Sequence, residues 1–522
     1  MGPERKGGLP VTGTRAPASP DPLAPADSWG RLVSAALVGT SRRSVPDTPD
    51  LPDLPGASAD EGADALLCRA ALAAVRRVAG YTPATGITPL TPDTEDERPE
   101  AGRAATDCLE RIVEGREDLL PEWLELVAAG GRRAAHSSLP ALLGQGVRHS
   151  RLRPAISAAI GTRGQWMARF EPSWSYVLAE PLPTDRFGER DWEHGTPGER
   201  RRALVALRAA DPGRGRDLLT AAWPGLARAE LRRGLLEALA TGLGPGDEDL
   251  LGGALDDRSA NVRGTALSLL TRMPGSAHAE RLRGYVREHA SQRGDGSLRV
   301  DSVHTRDAAV HRDLALAAPT GPEETKHQRH ERVWALVTHA PLDVWPGLLG
   351  TDPSGVLAAA GGEAARSDGL FDAFVNAVTV QRDTEWARAV LGTLGLRAAR
   401  DRGSFQLDKL LDLLPVQERC AHVCGVLDGA EASLVRWAQL LRATRGPWTR
   451  ELSARVVGLL HTARPKHDPH GYQEVCGAAA EHMPPEHLAD LHEQPPIDGS
   501  SADTYLRLRD TLRFRLDMHR EF

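Results

Sequence analysis

The chain has 522 residues, a formal net charge of 64 − 71 = −7, 41% apolar residues and a further 52 glycines. This is an ordinary globular composition, long enough for several domain-sized units or one long array, and it excludes wholesale disorder. The acidic balance argues against a protein that lives mainly on nucleic acid, and the shortage of Ile, Tyr and Phe beside abundant Ala, Leu and Arg argues against a large β-sheet.

Lysine occurs only at Lys6, Lys326, Lys409 and Lys466, so nearly every basic residue is Arg. Bidentate recognition of phosphate or carboxylate is one use for such a surface. GC-rich codon usage is the simpler explanation, and the net charge lends no support to a phosphate-binding role. The cysteines, Cys68, Cys108, Cys420, Cys424 and Cys476, are few and show no disulfide-framework spacing. No apolar run reaches the length of a membrane span, and residues 1–26 lack the apolar core of a signal peptide. The expected address is the cytoplasm.

Residues 1–26, rich in Pro, Gly and Ser, read as a disordered leader. An irregular helical region is expected over 27–195. Its first helix opens at Asp27-Ser28 and carries Trp29, Leu32, Ala36 and Leu37 up to a break at Gly39. The acidic, Pro-rich stretch 46–64 reads as a solvated linker. A long helix then places Leu66, Leu67, Ala70, Ala74 and Val78 on one side, and residues 81–102 return to loop. Short helices follow near 108–113, 119–127, 139–147 and 152–160, with brief connections that favour antiparallel packing.

Residues 196–290 repeat. Arg201-Arg-Ala-Leu-Val-Ala-Leu207 returns as Arg233-Gly-Leu-Leu-Glu-Ala-Leu239 and as Arg263-Gly-Thr-Ala-Leu-Ser-Leu269. Each unit reads as two short helices with a Pro/Gly break between them. Such a pair cannot bury its apolar face alone, whereas stacked neighbours can, which is the physical basis of an α-solenoid. The turn Leu255-Asp-Asp-Arg-Ser-Ala-Asn-Val-Arg263 resembles that of HEAT repeats, where an Asp caps the second helix and an Arg ties to an Asp of the adjacent repeat. Arg201, Arg233 and Arg263 are therefore expected to form a repeat-to-repeat ladder in preference to a basic stripe for binding. Residues 200–233 nevertheless hold nine Arg against three acidic residues.

Residues 291–330 break the pattern and read as an irregular insertion. The run 297–304 alternates like a strand, with a hairpin partner near Ala309-Val310, and 325–330 reads as polar loop. Helices return over 331–522. The last carries Tyr505, Leu508, Leu512 and Leu516 and is expected to cap the end of the array. The predicted fold is thus all-α: an α-solenoid of HEAT-like helical hairpins flanked by irregular helical N- and C-terminal regions.

No motif for chemistry stands out. None of the four lysines follows a glycine, which excludes a P-loop, and neither Gly-x-Gly-x-x-Gly nor Gly-x-Ser-x-Gly occurs. Cys420-Ala-His-Val-Cys424, with Cys476 and six histidines over 461–492, offers soft ligands, but an i, i+4 Cys pair more often packs as core. No catalytic, cofactor or metal residue is assigned, and no cofactor is expected. Trp166, Trp174 and Trp192, with Arg163 and Arg169 near them, suit either stacking on a ligand or burial as anchors, and anchoring is preferred.

Trp29-x-x-Leu-x-x-Ala-Ala-Leu-Val-Gly-Thr40, Gly161-Thr-Arg-Gly-Gln-Trp166, Pro172-Ser-Trp174 and Gly446-Pro-Trp448 together resemble a bacterial family of uncharacterised helical proteins. The resemblance spans most of the chain beyond the leader and is poorest over 291–330. Genes of that family tend to lie beside those for a SWIM zinc-finger protein, a MoxR-type AAA+ ATPase and a von Willebrand A-type protein. The resemblance implies a component of an ATPase-centred assembly and carries over no catalytic residue. Three readings are ranked: a non-enzymatic scaffold or adaptor binding protein partners, a DNA-binding solenoid similar in plan to HEAT-like glycosylases, and a metal-dependent enzyme. The candidate partner-binding residues are Arg163, Trp166, Trp174, Arg201, Arg233 and Arg263.

Overall fold

The computed structural model describes residues 28–49, 51, 62–79, 90–93, 96–302, 307–317, 325–362, 369–394, 404–428, 433–463, 468–495 and 499–522. The expected leader and most of the acidic linker lie outside these residues. The chain divides into two compact units, Met1–Pro92 and Asp93–Phe522. The fold is all-α: among the described residues, extended structure is confined to one two-stranded hairpin and an isolated bridge.

In the first unit the helices Ser28–Val38 and Ala63–Ala79 pack through Leu32, Ala35, Leu66 and Ala73, with Trp29, Val45 and Leu51 around them. Gly39 stops the first helix at a φ of +89°, a conformation that costs glycine little. The second helix departs from expectation. Leu66 faces its partner, but Leu67 and Val78 point outward. The helix is apolar over more than one face, and a single neighbouring helix can cover only one stripe of it.

In the second unit the repeat reading is correct. Pro197–Ala210, Ala229–Ala238 and Ala260–Leu270, which carry Arg201, Arg233 and Arg263, lie side by side in sequence order. Pro212–Ala222 backs the first of them and Glu248–Ala254 packs on the third. Local chemistry sets the helix ends. Thr196 and Glu199 form a reciprocal capping box ahead of Pro197, and Asp211 Oδ1 accepts from the Arg214 backbone N–H at 3.0 Å. Leu204, Leu235, Leu236, Val262, Leu267 and their neighbours make one shared core.

The row continues through Ala277–His289, Lys326–His339, Leu370–Gln381, Ser404–Asp412, Leu434–Ala443 and Pro469–His482 to Ser500–His519, over a single core running from Leu282 to Leu512. Two expectations for 291–330 need correction. The strand Leu298–Val300 pairs antiparallel with Ala290–Gln292, while residues 309 and 310 lie in the helix Ala308–Asp313. Helix also begins earlier than expected, at Lys326, because Thr325 and Gln328 cap each other reciprocally. The capping box outweighs the lack of apolar residues before Val333.

The last helix does more than cap. Tyr505, Leu508 and Leu512 join the core of the preceding helices, whereas Phe514 and Met518 join Leu109, Ile112, Leu120 and Trp123 near the start of the unit. The Arg515 guanidinium donates to both Glu122 oxygens at 2.6 and 2.8 Å and to the carbonyls of Ala480 and Met483. His519 Nε2 lies 2.7 Å from Glu122 Oε1, Arg116 pairs with Asp510, and Trp123 meets Phe522 edge to face. The row of helices in this unit therefore closes on itself.

Candidate partner-binding surfaces

The arginine ladder exists, but on other residues than expected. Arg208 makes a bidentate pair with Asp247, at 2.8 and 2.7 Å, with side chains only 1% and 3% exposed, and it also donates to the carbonyls of Thr241, Pro212, Leu239 and Gly242. Arg232 pairs with Asp257 at 2.6 and 3.0 Å, and Arg281 with Asp313 at 2.7 and 2.9 Å. These three reach 39, 25 and 32 residues along the chain, one repeat onward. Burial pushes Asp257 and Asp313 up, but the facing guanidiniums outweigh it and hold both carboxyls below their usual range.

Arg201, Arg233 and Arg263 serve elsewhere. Arg201 donates to the Ala179 carbonyl at 3.4 Å, Arg233 forms an exposed i, i+4 pair with Glu237, and Arg263 donates to the Asp257 and Arg258 carbonyls within its own turn. The apparent charge excess over 200–233 shrinks in space. Arg202, Arg208, Arg232 and Arg233 pair with Asp185, Asp247, Asp257 and Glu237, carboxylates from outside that window, and Arg216 pairs with Asp217.

Arg163 donates to Asp93 Oδ1 at 3.0 Å and lies 4.6 Å over the Trp166 ring, which meets Phe170 edge to face. Trp174 packs on the N-terminal core, and Trp192 is buried among the repeats. Trp192 is 7% exposed, whereas Trp174 is half-buried. The structure thus brings Arg163 and Trp166 together but does not gather the six predicted residues into one site.

Cys420, Cys424 and Cys476 lie in the long C-terminal core, where burial pushes the Cys424 thiol up and the Cys476 thiol up to about 12. Such thiols behave as small apolar groups. His461 and His492 stack with ring centroids 3.7 Å apart, beside the Tyr505 hydroxyl. Among the described residues no three His, Cys, Asp or Glu side chains gather as a metal site would require.

Two surfaces escaped the sequence reading. The first is the outer face of Ala63–Ala79, where Leu67, Val75 and Val78 are 65, 65 and 80% exposed and Ala71 lies between them. With Ala71 they follow a near-i±4 ridge, the pattern that fits between the ridges of another helix. Arg76 and Arg77 flank it, and among the described residues no arginine of this unit pairs with a carboxylate.

The second is a cleft of about 570 Å³ in the second unit, between the end of Gly161–Met167, the helix Glu189–His194 and the start of Pro197–Ala210. Arg169, Arg186, Arg190, Asp191, His194 and Glu199 line it. Arg202, bound to Asp185, forms part of the wall.

The model of a family of unknown function, DUF5691, matches residues 31–522. The chain belongs to the DUF5691 family. No curated protein and no solved structure matches it. Within the span matched to DUF5691, the segment that begins at Gly161 is explained by packing. Gly161 has a φ of +66°, and a Cβ there would lie 2.4 Å from Asp96 Oδ2. That same oxygen accepts from the Thr162 backbone N–H at 3.2 Å, while Arg98 grips the Asp96 carboxylate. Gly164 admits Ile160, which a Cβ would meet at 2.5 Å. The motif thus fastens Asp93 and Asp96 to the helix through Arg163 and Thr162. In Gly446-Pro-Trp448, Trp448 is buried and its indole N–H donates to the Thr444 carbonyl at 2.7 Å.

Proposed function

We propose that this DUF5691 protein is a non-enzymatic scaffold or adaptor whose N-terminal helix pair docks an amphipathic helix of a protein partner. The observation that carries the reading is the uncovered stripe of Leu67, Val75 and Val78 on a helix whose other side packs through Leu66 and Ala73. An apolar face bordered by polar groups is the usual mark of a protein-docking surface. The bordering arginines favour a partner helix with acidic flanks. The closed row of helices in the second unit supplies a framework tied by buried ion pairs. The resemblance noted from the sequence extends the proposal to an ATPase-centred assembly, with a MoxR-type AAA+ ATPase or a von Willebrand A-type protein as the partner.

A DNA-binding role loses its main motive, because five of the nine arginines over 200–233 are engaged in ion pairs. The test is retention of the purified MoxR-type ATPase on immobilised protein. Wild type is expected to retain it, and the triple variant Leu67→Glu, Val75→Glu, Val78→Glu to retain about tenfold less. No retention by wild type, or equal retention by the variant with unchanged helicity, would refute the reading.

A further inference from the structure

We infer that the cleft lined by Arg169, Arg186 and Arg190 binds an acidic peptide segment. The three guanidiniums are exposed, and among the described residues none makes a side-chain hydrogen bond or an ion pair. This sets them apart from most of the nearby arginines. Arg202 in the same wall is locked to Asp185, which also accepts from the Leu182 backbone N–H at 2.7 Å. Glu199 accepts from the Thr196 backbone N–H at 2.7 Å and so holds the helix end that forms one side. The cleft is thus framed by fixed pairs and presents three uncommitted cations.

The lining also decides the class of anion. Guanidiniums bind carboxylate and phosphate equally well by geometry. Asp191 and Glu199, however, add two carboxylates to the same surface. A polyphosphate or nucleic-acid strand presents a dense row of anionic acceptors and would meet those carboxylates as like charges. A peptide carries its negative charge on side chains and offers backbone N–H donors between them. Its carboxylates match the arginines, and its amides match Asp191, Glu199 and the Gln165 carbonyl. A volume of about 570 Å³ suits a few residues of extended chain.

The inference rests on the protein-partner reading but uses a different surface from the apolar stripe. A peptide assay can therefore fail while the ATPase pull-down succeeds, and the reverse.

The test is fluorescence anisotropy with a labelled Gly/Glu peptide of six residues, run at low salt beside inorganic polyphosphate and a single-stranded DNA oligomer of matched charge. The peptide is expected to bind, to weaken as salt rises, and to lose about tenfold in affinity in Arg186→Glu/Arg190→Glu. Arg169→Ala, a milder change at an exposed position, is expected to weaken binding several-fold with the fold unchanged by circular dichroism. Equal or tighter binding of polyphosphate or DNA would overturn the peptide assignment. Absence of peptide binding, or binding indifferent to both variants, would overturn the site.

Discussion

Glu122→Ala is expected to lower the unfolding free energy of the second unit by about 3–5 kcal/mol, the range for removing one partner of a buried pair. Arg515 is buried, and its guanidinium is shared between Glu122 and the carbonyls of Ala480 and Met483. Without the carboxylate, the charge stays in place with only carbonyls to face it. The loss also opens the seam between the last helix and the helix Leu120–Ala129 near the start of the unit, because His519 bonds to the same carboxylate. Burial raises the Glu122 pKa, but His519 and Arg515 outweigh this and hold it below its ordinary value. Its contribution is therefore full above the ordinary carboxylate range and is lost as the pH falls through the lowered value. Urea unfolding at neutral and acid pH reads both effects. A Glu122→Ala protein as stable as wild type would show that the seam is not closed.

Arg208→Ala or Asp247→Ala is expected to cost a similar amount, about 3–5 kcal/mol, for a different reason. This pair is the most deeply buried of the ladder, and the guanidinium also caps several carbonyls at the turn after Ala229–Ala238. Removing either partner strands the other away from water. Replacing both, as Arg208→Met with Asp247→Leu, is expected to restore part of the loss, because two apolar groups leave no unpaired charge. The recovery stops short of complete, since the carbonyls of Thr241 and Gly242 lose their donor. Denaturant midpoints of the two single variants and the double variant form the cycle. Single variants within about 1 kcal/mol of wild type, the range for surface pairs, would contradict the burial described.

The repeat and its helical class were legible because a stacking problem recurs in sequence at a nearly fixed step. One ladder residue was missed by a single position, Arg232 for Arg233, while Arg208 and Arg281 lie outside the aligned positions and Arg202, next to Arg201, pairs back to Asp185. Aligning the repeats selects the residue that recurs, but adjacent helical residues point about 100° apart, and only one can face the next turn. Burial of Trp192, and the partial burial of Trp174, followed from their size and their setting among short helices. The early start of Lys326–His339 was visible in Thr325 and Gln328, yet polar composition hid it. The cleft draws on three elements that share no motif, and nothing local marks which arginines lack carboxylates. Closure was invisible for a plainer reason. The apolar stripe through Tyr505, Leu508 and Leu512 announces one packing face, whereas the partners of Phe514 and Met518 lie almost four hundred residues earlier.

A cysteine pair across that seam tests the account most directly. With Cys68 and Cys108 replaced by Ser, Arg116→Cys and Asp510→Cys place two thiols where the native side chains touch. A short bismaleimide is predicted to join them within one molecule, giving a monomer of altered gel mobility and a cross-linked peptide pair from the two ends of the unit. Full labelling of both cysteines with no intramolecular link would contradict a closed row of helices.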